Sequence, residues 1–269
     1  MVHVVALVKH VPDVQSARSF TASGQLVRGG PDDTLNELDE DCLEAALRLV
    51  EGSPPPHAVT ALTVGPPAAV GALRRALAMG ATAAVHVCDE AVAGSDAVAT
   101  ARVVAAAVER VHAEHRVDVV LAGMAALDGL TSLVPSAVAA LLGWPPLTLA
   151  DRVAVAPGPG GATVTVRRTT AHHVEELRSP APAVVSVTDQ GFRPRPPDVR
   201  GILAARRKPV TVLGLADLGL TASSVGGAGS ATRVVDVQPR PERPGRVRLS
   251  GGPEVAAALA DHLALRGFR

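Results

Sequence analysis

Residues 117–143 read VDVVLAGMAALDGLTSLVPSAVAALLG, and their pattern decides the fold. Val117–Ala122 is a continuous apolar run broken only by Asp118, not an alternation of apolar and polar residues. A strand of that kind is covered on both faces, which is the habit of parallel sheets. Gly123 opens a loop of small and polar residues. From about Leu133 to Leu142 the apolar residues return at helical spacing, with Gly143 past the end. The stretch is therefore strand, loop and helix, half of a parallel crossover unit.

The same rhythm extends towards the N-terminus. Val2–Val8 reads as a first strand closed by Val11-Pro12-Asp13, and the polar, glycine-containing residues 14–33 read as an excursion. Asn36 precedes a helix carrying Leu38, Cys42, Ala45, Ala46 and Leu49, stopped by Gly52. Ala58–Val64 is a second strand. A helix with Val70, Leu73 and Leu77 on one face and Arg74 and Arg75 on the other runs to Gly80. Ala83–Val87 is a third strand, and Ser95 or Asp96 starts a long Ala/Val helix to about His115. The pattern predicts an α/β fold built on a doubly wound, mainly parallel sheet.

After Trp144-Pro145-Pro146 the rhythm changes. Leu147–Ala156 and Ala162–Leu177 flank Pro157–Gly161 and predict an antiparallel β-hairpin extension. Ala183–Thr188 is a further short strand able to extend the main sheet. Residues 189–201 hold Pro194, Pro196 and Pro197 with Arg193, Arg195 and Arg200, and neither helix nor strand is expected there. Residues 221–252, rich in Gly, Ser, Pro and Arg, read as an extended tail, and Pro253–Leu265 as a terminal helix.

Composition narrows the function. Lys+Arg 26 balance Asp+Glu 26, so binding nucleic acid through bulk charge is excluded. Aromatic residues are 1% of the chain, with no tyrosine, which leaves no platform for stacking bases. Cys42 and Cys88 sit in apolar patterns and read as buried hydrophobes in a reducing, cytoplasmic setting. No apolar stretch reaches the ~18 residues that suggest a membrane span.

In a doubly wound sheet ligands sit beyond the carboxyl ends of the strands, where the strand order reverses. The loops after Val8 and Ala122 are the ones expected to meet there. In the second, Gly123 and Gly129 allow close approach or a left-handed backbone, while Thr131 and Ser132 can cap the following helix. Free N–H groups at that helix start favour a phosphate, and Asp128 suits a ribose or an adenine amino group. A plain strand-to-helix turn explains the same residues. Asn36 reads as an N-cap, a ligand-facing residue, or both. Lys9 suits either a phosphate or solvent. His172 and His173, adjacent in a strand, would point to opposite faces and so do not suggest a metal site. Arg206-Arg207-Lys208 fits a helix C-terminus. There is no GxGxxG or Walker A pattern, and no Ser/His/Asp or Cys/His arrangement stands above chance.

Taken in order, several segments resemble the electron transfer flavoprotein β-subunit family. They are LVKHVPD (7–13), Asn36 with LEAALRL (43–49), LRRALAMGA (73–81), DVVLAG (118–123), PAVVSV (182–187) and GILAARRKP (201–209). The resemblance spans about residues 1–212, and LRRALAMGA is its most specific piece. It implies an adenine-nucleotide-alpha-hydrolase-like sheet in residues 1–212, with the hairpin at 147–177 and a recognition loop at about 188–207. Residues 213–269 would be a partner-docking tail and helix. It also implies a heterodimer whose α subunit holds most of a redox-active FAD, with this chain lining one wall of that site. A flavin-dependent dehydrogenase would supply electrons, and a quinone oxidoreductase or other acceptor would take them. The chain would be an electron carrier rather than an enzyme.

By position, the family's AMP site, which FAD fills in electron-bifurcating relatives, maps onto Leu7, Asn36, Glu37, Leu38, Asp39, Val64 and one continuous loop. That loop is Gly123, Met124, Ala125, Ala126, Leu127, Asp128, Gly129, Leu130, Thr131, Ser132, Leu133 and Val134. The partner surface maps onto Arg193, Arg195, Val199 and Ile202, with Val199 where a protruding leucine usually stands and the arginines expected to meet an acidic rim. There are departures. Ala125 replaces the family's glutamine, Ser132-Leu133-Val134 its polar cluster, Thr169 (near Arg167) its hairpin acid, and Phe192-Arg193 an Asn-Glu pair. The alternative reading is a stand-alone, universal-stress-like adenine-nucleotide-binding protein.

Overall fold

In the computed structural model, residues 2–53, 55–158, 161–238, 240–241, 248–252 and 254–268 are described. The elements are β1 (Val2–Leu7), β2 (His10–Pro12), β3 (Asp33–Leu35), α1 (Glu37–Glu51), β4 (His57–Val64), α2 (Val70–Met79), β5 (Ala83–Val87), α3 (Ala97–Glu114), β6 (Val119–Gly123) and α4 (Val134–Leu142). They continue with β7 (Pro146–Ala150), β8 (Arg152–Gly158), β9 (Gly161–Thr169), β10 (Val174–Pro180), β11 (Ala183–Val187), α5 (Val199–Arg207), β12 (Thr211–Leu213), α6 (Gly226–Gly229) and α7 (Glu254–Leu265).

Seven strands form the main sheet in the order β12-β5-β4-β1-β6-β11-β7, and every pairing in it is parallel. The order reverses between β1 and β6. Alternate side chains of the central strands enter separate cores, as the continuous apolar runs require. Val4, Ala6, Val59, Ala61 and Leu121 meet α1 and α2 on one face. Val5, Leu62, Val120 and Val184 meet α3 and α4 on the other. With so few aromatics, both cores are built almost wholly from Val, Leu and Ala.

Two expectations change beyond residue 146. Leu147–Ala156 is not one strand. It breaks at Asp151, where Pro146–Ala150 joins the main sheet beside β11 and Arg152–Gly158 turns into the antiparallel layer. Ala162–Leu177 also divides, at residues 170–173, so the hairpin is a three-stranded sheet ordered β10-β9-β8. Its Val164 and Val166 are buried in the core on the α1 face. His172 and His173 lie in the turn, not in a strand. The expected hairpin tip includes Pro159 and Gly160, which lie outside the described residues.

The first compact unit runs to Val235, past the expected boundary at 212. The reason is that Thr211–Leu213 pairs with β5 as an edge strand. The following turns are bonded back to α3, with Arg102 donating to the Ser224 carbonyl at 2.5 Å and Thr232 N–H to Asp96 at 2.8 Å. Asp96, rather than Ser95, caps α3 by accepting from Ala99 N–H at 2.8 Å. Asp236–Arg269 form a second unit, whose α7 has no buried residue. Pro253, expected to open that helix, and 242–247 of the expected tail lie outside the described residues. Among the described residues no helix is long and apolar enough to cross a membrane.

Candidate functional site

Leu7, Val64 and Gly123 end β1, β4 and β6 at one carboxyl edge, and the β1/β6 reversal lies between them. The N-terminus of α1, with Asn36, Glu37, Leu38 and Asp39, comes up against Gly123. A Cβ on Gly123 would stand 2.5 Å from Asp39 Oδ1 and 2.7 Å from the Leu38 carbonyl oxygen. This glycine therefore admits the protein's own helix. Gly129 meets nothing within 4 Å, and the left-handed residues of the loop are Leu130 (φ 52°) and Ser132 (φ 49°).

Asn36 occupies the N-cap position of α1 but makes no side-chain cap. Fully buried, it reaches the other loop instead. Its Nδ2 donates to the Ala125 carbonyl at 3.0 Å, and its Oδ1 accepts from Leu127 N–H at 3.0 Å. An asparagine can satisfy a donor and an acceptor at once, so one side chain locks both backbone groups across the switch point. Asp39, beside it, accepts from Lys9 N–H at 2.8 Å. Burial pushes its carboxyl up to about 7, against hydrogen bonds from Asn36, Lys9 and Gly123.

Asp128 also turns inward. Its carboxylate accepts from Lys9 Nζ at 2.9 Å and Arg28 Nε at 2.7 Å, while Arg18 donates to its carbonyl at 3.3 Å. Burial alone would raise this carboxyl, but the charges of Lys9 and Arg28 outweigh it and hold it below the usual range. Burial in turn lowers the Lys9 ammonium, with Asp128 opposing. Lys9 thus faces a carboxylate rather than bare solvent. Arg18 and Arg28 were not legible as site residues, since the excursion that carries them has no periodicity to point with.

Past Asp128 the loop is open. Leu130 and Leu133 are 65% and 45% exposed. Leu133 holds the N-cap position of α4 with no side-chain cap, so Thr131 and Ser132 do not play the expected role. Among the described residues the N–H groups of Thr131, Ser132, Leu133 and Val134 have no hydrogen-bond partner. Met124 N–H joins Val187 at 2.9 Å, and the N–H groups of Gly129 and Leu130 close a turn on Ala126. The loop therefore offers backbone donors for an anion near the start of α4, with its charged side chains already engaged.

The second group of residues lies elsewhere. Residues 189–198 are irregular as expected, but 199–201 are not: Asp198 caps α5 by accepting from Gly201 N–H at 2.6 Å. Val199, Ile202 and Leu203 are 73%, 42% and 56% exposed, one stripe at helical spacing. Arg193 is exposed. Arg195 is not free for an acidic rim on another molecule, because it grips Glu44 at 2.8 Å and Glu51 at 2.5 Å on α1. Hydrogen bonds to these glutamates raise the Arg195 pKa, although partial burial opposes them. Beside Thr169, Asp151 presents a carboxylate from the start of the neighbouring strand. It accepts from Thr169 Oγ1 at 2.5 Å and Arg167 Nε at 2.6 Å.

Residues 23–218 match the electron transfer flavoprotein domain model. The chain is 36% identical over 252 residues to the electron transfer flavoprotein subunit beta of Mycobacterium tuberculosis (strain ATCC 25618 / H37Rv), covering 90% of each chain. It is 29% identical over 263 residues to that of Megasphaera elsdenii, covering 97% of this chain and 96% of the relative. It is 31% identical over 262 residues to the caffeyl-CoA reductase-Etf complex subunit CarD of Acetobacterium woodii, covering 97% of each. With the family model and these likenesses together covering nearly the whole chain, this protein belongs to the electron transfer flavoprotein β-subunit family, and its role is electron transfer.

Proposed function

We propose that this chain is the β subunit of a heterodimer whose α subunit holds most of an FAD, and that it lines one wall of that flavin's site. The flavin supplies the redox chemistry by taking up and releasing electrons. The chain itself is a carrier subunit without a substrate of its own. It takes part in passing electrons from a flavin-dependent dehydrogenase to a quinone oxidoreductase or another acceptor.

The observation that carries this reading is the carboxyl-edge loop, where exposed Leu130 and Leu133 adjoin the unpartnered N–H groups of Thr131–Val134. Leucines left in water at a loop tip suit a partner subunit that covers them. The backbone donors suit the phosphate of a structural AMP, or of FAD in its place. They fit that group without help from Asn36 or Asp128, whose polar atoms are engaged within the protein. Leu7 and Val64 would stand near its base and sugar. The Val199, Ile202 and Leu203 stripe on α5 would be the dehydrogenase-facing surface, with Arg193 at its edge.

Co-expression with the α subunit should give a yellow 1:1 complex that releases adenine nucleotide on acid treatment. The chain purified alone should be colourless. A stoichiometric flavin retained by the isolated chain would overturn this division of labour.

A further inference from the structure

The helix α5 is nine residues long and buries only Ala205, so neither length nor packing explains why it persists. Its ends do. Asp198 caps the start, and the final carbonyls are taken by a residue from another helix. Arg74 Nη1, from α2, donates to the Ala205 carbonyl at 2.7 Å and to the Lys208 carbonyl at 2.6 Å. Lys208 returns the contact, with Nζ donating to the Ala81 carbonyl at 2.7 Å just past the end of α2. Between these points the helices touch directly. A Cβ on Gly201 would stand 2.4 Å from the Ala78 carbonyl, so no side chain separates them.

Arg206 and Arg207 in the last turn favour the helix dipole, but among the described residues neither bonds to these carbonyls. Among the described residues Arg74 alone donates a side-chain bond to the carbonyls of both Ala205 and Lys208. Both bonds come from one nitrogen of the half-buried guanidinium, whose two N–H groups reach two carbonyls at once.

We propose that Arg74 is a positioning residue for partner docking. It holds α5 so that the Val199, Ile202 and Leu203 stripe is presented in one orientation, without itself touching the partner. This rests on the reading of α5 as the dehydrogenase-facing surface. A preformed stripe lowers the ordering cost on association, so loosening it should weaken docking and leave the later electron transfer alone.

The test uses the α/β complex. Its electron donor is whichever member of a panel of flavin-dependent dehydrogenases reduces the wild type fastest. Arg74→Met keeps the stem and removes the donors. It should speed amide exchange across α5 by about tenfold or more, as expected for local opening. It should also raise KM for the complex by about fivefold while kcat, flavin content and global melting stay unchanged. Arg74→Lys should recover part of both effects. Ile202→Asp reads the stripe directly and should raise KM whatever the state of Arg74. A raised KM in Ile202→Asp with wild-type KM or wild-type exchange in Arg74→Met would overturn the positioning role alone. Wild-type KM in both would overturn the docking surface and, with it, the role of Arg74.

Discussion

The loop at 123–134 and the segment at 192–207, on which the proposed function rests, are built in opposite senses. In the loop, polar groups turn inward: Asn36 clasps its backbone, and Asp128 is closed by Lys9 and Arg28. What remains for a ligand is bare N–H. In the segment the polar groups act at the two ends, Arg195 on α1 and Arg74 on the last turn of α5, and an apolar stripe is left in water between them. Both segments are held by long-range polar contacts. The loop is locked through buried bonds, whose loss costs folding free energy. The stripe is exposed, and its truncation costs little until a partner arrives. Substitutions should therefore divide by region, with loop variants read in stability and stripe variants read in kinetics.

Gly123→Val should have the largest effect. Its side chain would meet the backbone carbonyl of Leu38 and the buried carboxyl of Asp39. Overpacking costs about 1–3 kcal/mol and occasionally more, and a clash with backbone lies at the upper end. The variant should lose its cooperative thermal transition with or without nucleotide. If it folds normally and only releases nucleotide, Gly123 faces the ligand rather than α1, and the contrast between the regions weakens.

Asn36→Ala comes next. It leaves the Ala125 carbonyl and Leu127 N–H unpaired in a buried place, which costs about 1–3 kcal/mol. Chemical denaturation should show that loss, and amide exchange should rise in 125–130 before anywhere else.

This residue also shows what was legible in the sequence. Its place before an amphipathic helix with acidic first turns put it at the N-cap, and that position is right. What its side chain does there depended on a loop 89 residues away, to which no local pattern refers. Continuous apolar strands and helix stops gave away the sheet and the reversal at β1/β6 for the same reason that core patterns are readable: burial is periodic. The split at Asp151, the short strand at Thr211–Leu213 and the clasp of Arg195 on Glu44 and Glu51 have no period. They are pairings between distant segments, and Gly/Pro-rich neighbours hid two of them.

The acidity of α1 sharpens the contrast through pH. Burial raises Asp39 to about 7. Burial, with Asp189, Glu40 and Glu37 nearby, raises Asp41 to about 6. A carboxyl with a raised folded pKa binds its proton more tightly when folded. Its contribution is full below the ordinary value of 3.8 and is lost as pH rises through 6 to 7. His3, whose pKa burial lowers, works in the opposite direction. Glu44 and Asp128, held below their usual values despite burial, lose stability only at more acidic pH. Asp39→Asn isolates the first effect. Relative to the wild type, its denaturation midpoint should gain between pH 5 and pH 8. An unchanged difference across that range would mean that Asp39 is ionised throughout.

Val199→Ala should have the smallest effect on the fold and a clear one on function. The side chain is 73% exposed at the first turn of α5, so little apolar area leaves contact with the protein, and the melting temperature should hold within about 0.5 kcal/mol of stability. Valine is also the poorer helix former, so truncation does not weaken the helix. If the stripe is a docking surface, the lost methyl groups are missed only when a partner pocket closes over them. Burying such a side chain contributes about 1.5–3 kcal/mol, part of which alanine keeps. Dissociation from the dehydrogenase should therefore quicken by about threefold to tenfold, with association little changed. Arg193→Ala, by contrast, should slow association and flatten its salt dependence if its exposed charge meets an acidic rim. Arg195→Ala should instead lower stability, because buried Glu44 keeps Arg48 but loses its second guanidinium, and the segment loses its tie to α1. A kinetic effect of Arg195→Ala without a stability effect would place that arginine on the partner, and the two regions would no longer divide as they do here.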